Sequence, residues 1–377
     1  MRCVSLFSGC GGLDLGLQRA GFEVALAVDN DPYCAASHAA NFPGAPFHLG
    51  SVSDIDEARL LLFGLDGEVD LLAGGPPCPP YSKSRFYRTS KPRALADQLG
   101  METMTGYLRV LGLLRPRAFL LENVAGLAYK VHREALDLIT TTAQQLGYAC
   151  SGRVLNAADY GVPQIRERYF LVGLRSGVFR FPPPTHARAE PGALFSEDGL
   201  PSWRTAGEAL GDLDTEENAD DTGHFAGGKH HETLKLIPPG DNYLFFTRER
   251  GHPEPRFQWR SRYWSYLLKL SPSLPSWTIQ ARRSNNMGPF HWRGRILRIP
   301  EVLRLQSFPD GWHLSGTVER QWRQVGNAVP PLLAEALGHA LRSALGPRSS
   351  APTFERGSRG STARRRAPKP KGRPPLA

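Results

Sequence analysis

Four short apolar runs, RCVSLF, VALAV, VDLLA and AFLLE, punctuate the first third of the chain, with stretches of helical character such as GLDLGLQRAGF and REALDLITTTAQQLGY between or after them. Each run has the length of a buried strand, and strands that alternate with helices predict a parallel sheet covered by helices on both faces. RYFLVGL, residues 168–174, is a further strand candidate. After FPPPTH, residues 181–186, the character changes. Gly, Pro, Asp, Arg and aromatics dominate and periodicity is weak until about Arg295, which predicts a second, smaller domain made largely of loops and short strands. Order returns where Pro330 and Pro331 open a helix carrying Leu332, Leu333, Ala336, Leu337, Ala340 and Leu341 on one stripe.

With 377 residues, 41% of them hydrophobic, the chain can bury a sizeable core in about two domains. It has no apolar run of the ~18 residues that a membrane span needs. Its start, MRCVSLFSGC, lacks the charged and apolar blocks of a secretory signal. Five cysteines (Cys3, Cys10, Cys34, Cys78, Cys150) form no CxxC pair and fit neither a disulfide framework nor a zinc knuckle. These features predict a cytoplasmic protein with reduced thiols and no membrane partner.

The net charge of +10 is unevenly distributed: from position 346 onward nine Lys or Arg stand against one acid, Glu355. That proline-rich tail reads as disordered, either merely solvated or loosely phosphate-binding. Within the body, residues 248–298 hold eleven Lys or Arg against Glu249 and Glu254, while residues 208–221 hold seven acids and no base. The separation suggests one surface facing a polyanion.

At the amino terminus a strand runs into SGCGG and then a helix, where glycines allow close backbone approach to a ligand and the helix start offers free N–H groups. Asp29 ends the next strand, at the position where nucleotide-type folds hold a ribose by its hydroxyls. The glycine spacing differs from GxGxxG, so a dinucleotide is not implied, and an ordinary tight turn is the alternative.

The stretch GGPPCPPYSKS, residues 74–84, places Cys78 between two proline pairs directly after VDLLA. Each proline removes a backbone donor and fixes its own φ, so the segment reads as a stiff loop holding one thiol. Out of context such a cysteine is a small buried hydrophobe. Here its loop leaves the carboxyl edge of the expected sheet, where open α/β folds bind ligands. Glu122, at the end of AFLLE, and Arg166 and Arg168, two apart at the start of a strand, reach the same edge. The bland reading of the last three is a salt-bridged strand edge.

FSGCGG (7–12), GGPPCPPYS, ENV (122–124), QIRER (164–168), RILRIPEVLRLQSFPD (295–310) and QVGNAVPP (324–331) resemble, in order and spacing, the motifs of the DNA cytosine-5 methyltransferases. The resemblance spans about residues 3–345 and implies a Rossmann-like S-adenosylmethionine-dependent methyltransferase sheet. It implies a discontinuous catalytic and cofactor-binding domain (1–179 and 295–345), a target-recognition domain (180–294) and a basic tail (346–377). Methylation of C5 requires covalent activation of the ring, and the base must be flipped out of the duplex. The resemblance assigns the nucleophile that adds to C6 to Cys78. Hydrogen bonding of N3 and the exocyclic amine falls to Glu122, and support of O2 and of the thiolate to Arg166 and Arg168. It places S-adenosyl-L-methionine against Phe7, Gly9, Gly11, Gly12, Leu13, Asp29, Asn30, Pro77, Asn327 and Ala328.

Two departures from the family stand out. Pro79 replaces the usual Gln after the cysteine, and Ser51 follows Gly50 where an Asp is common, so either Ser51 or Asp54 is left for the adenine amine. For DNA contacts the candidates are Ser82, Arg282, Arg283 and Asn285, with Asn286 beside them. The arginines could read bases or hold phosphates, while Trp277 is expected in the small domain's core. His224, His230 and His231 read as loop residues, and no metal is expected. Double-stranded DNA is the expected partner. A cognate restriction endonuclease without stable complex, a monomeric state and a prokaryotic setting complete the expectation. An RNA methyltransferase of the same fold, or a noncatalytic DNA-binding module, are the alternatives.

Overall fold

The computed structural model describes residues 1–65, 69–77, 97–190, 192–214, 226–260 and 263–347. Cys78, Pro79, Ser82, His224 and nearly all of the basic tail lie outside the described residues.

Seven strands form one sheet in the order β3-β2-β1-β4-β5-β7-β6. They are β1 (Arg2–Leu6), β2 (Glu23–Asp29), β3 (Phe47–Leu49), β4 (Leu71–Gly74), β5 (Ala118–Val124), β6 (Ala149–Asn156) and β7 (Glu167–Leu174). The first five pair in parallel, as the alternation of runs and helices predicts. The sheet is nonetheless mixed, because β7 runs antiparallel to both β5 and β6. Apolar periodicity reveals a strand but not its direction, and only the ten residues between β6 and β7, too few for a crossover helix, carry that information.

Helices flank the sheet: α1 (Gly12–Arg19), α2 (Pro32–Asn41), α3 (Glu57–Leu62), α4 (Gln98–Leu114), α5 (Arg133–Gln145) and, from the far end of the chain, α10 (Pro331–Leu345). Because strand side chains alternate, β5 sends Phe119 and Leu121 to one face and Ala118 and Leu120 to the other. On the first face Met104, Tyr107 and Leu111 of α4 and Ile139 of α5 close the core. On the second, Leu17 of α1 packs with Leu333, Leu337 and Leu341 of α10, all fully buried. Each such leucine contributes about 1.5–3 kcal/mol by leaving water. Small residues bring α1 and α10 together: a Cβ on Gly16 would lie 2.4 Å from that of Ala334, and one on Gly338 2.6 Å from that of Ala20. The expected carboxyl-terminal helix therefore forms, its stripe turned onto the first helix of the chain.

The remaining helices are α6 (Ala206–Leu210), α7 (His231–Leu236), α8 (Ile299–Leu305) and α9 (Val318–Asn327). Between residues 180 and 294 the described residues form short helices, turns and isolated bridges instead of the expected short strands. Their own small core gathers Leu234, Tyr243, Phe246, Leu267 and Phe290. A further cluster joins Leu270 and Ile279 to Val302, Leu305, Trp322, Val325 and Cys10. Met1–Leu345 constitute one compact unit.

The charge segregation read from the sequence is partly cancelled by folding. Asp212 pairs with Arg304, and Asp214 with Arg293, while Arg295 and Arg298 both bind Glu301 and Arg250 binds Asp241. Two of the described acids of that stretch, Asp212 and Asp214, thus meet bases, while Arg260 and Arg282 remain exposed.

Candidate active site

Register fixes the site. Val28, Leu6, Gly74 and Leu121 align in one row across β2, β1, β4 and β5. The next residue of each strand, Asp29, Phe7, Gly75 and Glu122, therefore stands at the carboxyl edge. With strands about 4.8 Å apart, Asp29 and Glu122 are separated by roughly 15 Å, the span of a nucleoside cofactor and a base side by side. The edge is also the switch point of the sheet, where β1 lies between chain segments that wind in opposite directions.

At the β1 side the loop 7–12 turns sharply, with φ of 57° at Phe7, 57° at Gly9 and 86° at Gly11. Each glycine is needed for a different reason. A Cβ on Gly9 meets nothing within 4 Å, so its left-handed backbone borders open space. A Cβ on Gly11 would lie 2.3 Å from Phe42, and one on Gly12 2.4 Å from the Val329 carbonyl oxygen. Gly12 thus lets the Ala328–Val329 backbone reach the loop, which brings the far end of the chain to the cofactor edge. Leu13 is buried in the core, so what it offers a ligand is its backbone N–H in the first turn of α1. Asp29 accepts from the Gly9 and Asp31 N–H groups, each at 2.9 Å. Burial raises its pKa, and these hydrogen bonds oppose the rise. A half-buried carboxylate with one backbone donor on each oxygen keeps acceptor capacity for hydroxyls, and the helix start supplies donors for an anionic group. That donor and acceptor set fits a nucleoside cofactor bearing a carboxylate, as S-adenosylmethionine does. Asn30 follows Asp29 on the surface, and Asn327 is likewise exposed at the end of α9. Asp54 accepts from Ser51 N at 2.8 Å in a capping box, so these two residues hold each other.

At the β5 side Glu122 is 4% exposed and its Oε1 lies 3.1 Å from Arg168 Nε. Burial raises its pKa, and Arg168 and then Arg166 oppose the shift. Asn123 donates to the Pro76 carbonyl at 3.2 Å, and a Cβ on Gly75 would lie 2.8 Å from Glu122 Oε2. The ENV segment therefore grips the chain through Pro76, and Pro77 leads directly to Cys78.

Arg166 stands one residue before β7, not within it, and its hydrogen-bond partners differ from those of Arg168. Its guanidinium, 1% exposed, donates to Ile279 O (3.0 Å), Gly326 O (2.8 Å) and Ala328 O (3.1 Å). It ties the entry of β7 to two distant segments. Buried glutamines, which sequence reasoning did not single out for this, act alike. Gln164 bonds Leu305 O and Ile279 N, Gln306 bonds Val325 O, and Gln324 bridges Ser37 and Ser315. Also unforeseen is a fully buried set in which Asp14 accepts from Ser5 and meets His38 at 3.0 Å, anchoring α1 to α2 beneath the loop. The acid in the first turn of the helix is its only sequence signal.

Trp277 contradicts its expected place in the small core: it is 40% exposed and meets Trp264, itself 43% exposed, at 5.0 Å between ring centroids. Ser276 and Ile279 take the inward positions on either side, which turns the indole out. Arg282 is exposed, while Arg283 and Asn285 are half-buried. Among the described residues no cluster of three or more His, Cys, Asp or Glu could hold a metal, and no helix is long and apolar enough to cross a membrane.

A mixed seven-stranded sheet with a glycine loop and a half-buried acid at one end of its carboxyl edge, and a carboxyl–guanidinium pair at the other, is the fold of the S-adenosylmethionine-dependent methyltransferases. Residues 1–343 match the family described as C-5 cytosine-specific DNA methylase, and the chain belongs to it. It is similar to the Type II methyltransferase M.SacI of Streptomyces achromogenes, with 37% identity over 91% of this chain and 93% of that protein. The Type II methyltransferase M1.HphI of Haemophilus parahaemolyticus is 32% identical over 90% of this chain and 86% of its own. The fold is shared with a crystal structure described as a putative DNA modification methyltransferase encoded within a prophage of E. coli. That match has a TM-score of 0.63 and 24% identity, covering 91% of this chain and 99% of that one.

Proposed function

We propose that Cys78, Glu122 and Arg168 perform cytosine C5 methylation on duplex DNA, with Arg166 holding the frame in which they act. The observation that carries this reading is the Glu122–Arg168 pair at the carboxyl edge, with Glu122 buried and the adjacent Asn123 gripping the chain that leads into Cys78.

The Cys78 thiolate adds to C6 of a flipped cytosine, and C5 becomes nucleophilic as charge moves into the ring. Glu122 accepts from the exocyclic amine and, in the protonated form that its raised pKa favours, donates to N3 as that charge develops. Arg168, held against Glu122, has further donors for O2. S-adenosylmethionine, when bound, supplies an electrophilic methyl group on a sulfonium. Asp29 takes the ribose hydroxyls, and the N–H groups at the start of α1, around Gly12 and Leu13, take the carboxylate. Phe7, Gly9, Gly11, Asn30, Pro77, Asn327 and Ala328 complete the cofactor wall. A water molecule or hydroxide takes the C5 proton, the electrons of that C–H bond re-form the C5–C6 double bond, and the C6–S bond breaks to release the thiolate and regenerate the enzyme.

Residues 180–294 read the target sequence, with Arg282, Arg283 and Asn285 toward DNA, and Ser82 joins them from the thiol loop. Residues 1–179 and 295–345 form the catalytic part. The enzyme works in the cytoplasm as a monomer, beside a cognate restriction endonuclease with which it forms no stable complex; similarity to Type II methyltransferases supports the last pairing.

A base-resolution map of 5-methylcytosine in plasmid DNA from a methylation-free host expressing the chain, beside a Cys78→Ala control, tests the reading. Methylation at one short sequence, absent from the control, is expected. Equal methylation by the control would refute the assigned nucleophile, and transfer of label to RNA alone would move the substrate.

A further inference from the structure

Large aromatic side chains stand in water along one stretch of this surface: Trp259 is 45% exposed, Tyr263 39%, Trp264 43% and Trp277 40%. The same stretch buries Leu267, Leu268 and Leu270 almost completely, so its aromatics are not outside for want of a core. Isolated exposed aromatics are ordinary. Two indoles in contact, held in place from beneath, are not.

The hold is specific. Ser276 N donates to Pro163 O (2.9 Å), Ile165 N to Ser276 O (2.8 Å) and Thr278 Oγ1 to Ile165 O (2.7 Å). Ile279 is fixed by Gln164 at its N–H and by Arg166 at its carbonyl. Trp277 therefore rides on a ribbon fastened, bond by bond, to the segment that delivers Arg168 to Glu122. Trp264 meets it at an interplanar angle of 62°, an edge-on arrangement in which the rings do not cover each other's faces. Exposed cations lie close in sequence on both sides, Arg260 and Arg282.

A surface of this composition matches one occupant. DNA that gives up a cytosine to the catalytic pocket is left with bases beside the gap that have lost a stacking neighbour, at a cost of a few kcal/mol. An indole face can replace that neighbour whatever the base, and the flanking arginines complement phosphates. We propose that Trp264 and Trp277 form a stacking platform for a base left unstacked beside the extruded cytosine, so that Trp277 is a positioning residue for base extrusion. The proposal rests on the reading of the Glu122–Arg168 edge as the cytosine pocket.

The test uses the full chain and a duplex carrying the mapped methylation site, with 2-aminopurine next to the target cytosine. For Trp277→Ala, duplex affinity is expected to fall roughly 5- to 100-fold. The slope of log affinity against log salt should be unchanged, because no phosphate contact is lost. Emission of 2-aminopurine in the complex should rise above the wild-type level, and Trp277→Phe should restore most of the quenching. Wild-type affinity and emission in a folded Trp277→Ala protein would overturn the proposal, as would a loss that appears only as a shallower salt slope. Should Trp277→Ala not fold, wild-type tryptophan emission decides: quenching by the duplex that Trp264→Phe diminishes supports the platform, and any other response overturns it. Absence of methylation by the wild-type enzyme would instead refute the cytosine-pocket reading itself.

Discussion

Arg168 and Glu122 meet across an antiparallel junction, Nε to Oε1 at 3.1 Å, although the strands carrying them are separated by all of α5 and β6 in the chain. Because β7 runs against β5, its first residues, not its last, stand at the carboxyl edge, and Arg168 pairs opposite Val124 two residues past Glu122. One reversed strand is what lets an arginine be presented where parallel strands end.

The pair makes stability depend on pH with a definite sign. Burial lifts the Glu122 pKa above its ordinary 4.5, and the arginines only partly offset this. Below 4.5 both folded and unfolded states hold the proton and pH has no effect through this group. Between 4.5 and the raised value the folded state binds the proton more tightly, so stability falls as pH rises, and above it the full penalty remains. Glu122→Gln should therefore abolish methyl transfer while removing this pH-dependent loss. Urea unfolding of both proteins from pH 4 to about 8 measures it, and parallel curves would show that Glu122 is not destabilised by burial.

Arg166 should behave as a structural residue. Arg166→Met leaves the carbonyls of Ile279, Gly326 and Ala328 without their shared donor. A loss of about 3 kcal/mol or more is expected, since each orphaned buried acceptor costs roughly 1–3 kcal/mol. A denaturation midpoint equal to that of the wild type would contradict the clamp.

Two glycines of the amino-terminal loop should fail differently. Gly12→Ala drives a methyl group into the Val329 carbonyl and Phe308, and is expected to lower the melting temperature even without ligand. Gly9→Ala has room for its methyl but must hold φ at 57°, at a cost of about 1–2 kcal/mol. Thermal melts with and without S-adenosylmethionine separate the two effects.

Asp29→Asn keeps the size of the side chain but turns one hydrogen-bond acceptor into a donor facing a backbone N–H. Calorimetric titration with S-adenosylmethionine should show affinity reduced on the order of 10- to 100-fold, as expected for one lost charge-assisted hydrogen bond. Unchanged affinity would remove Asp29 from the cofactor wall.

Arg282→Ala distinguishes two roles for an exposed guanidinium. Loss of a phosphate contact lowers the salt slope of duplex binding by about 1 and weakens all sequences alike, whereas loss of a base contact relaxes sequence choice. No change in either would take Arg282 out of the interface.

Strands β1, β2, β4, β5 and β7 and the helices α1, α5 and α10 were legible because each carries its own apolar run or period. β3 has only three residues, and β6 is largely exposed, so neither writes a pattern into the sequence. The candidate acid and arginines were legible from their motifs, but the task of Arg166 was not, since its partners are backbone carbonyls that any residue could provide. The outward turn of Trp277 was hidden for a similar reason. A tryptophan's expected burial is a statistical prior, and the bridge between Gln164 and Ser276 that decides its direction joins segments far apart in the chain.

The contact of Gly12 with Val329 and the packing of α1 on α10 give the molecule a seam between its first helix and one made more than three hundred residues later. During synthesis, α1 emerges from the ribosome with its apolar face uncovered and its glycine loop unsupported, and stays so until α10 follows. On the proposed reading of that loop, cofactor capture is among the last capacities the growing chain acquires, since a chain halted before α9 would hold the glycine loop without the segment that packs against it.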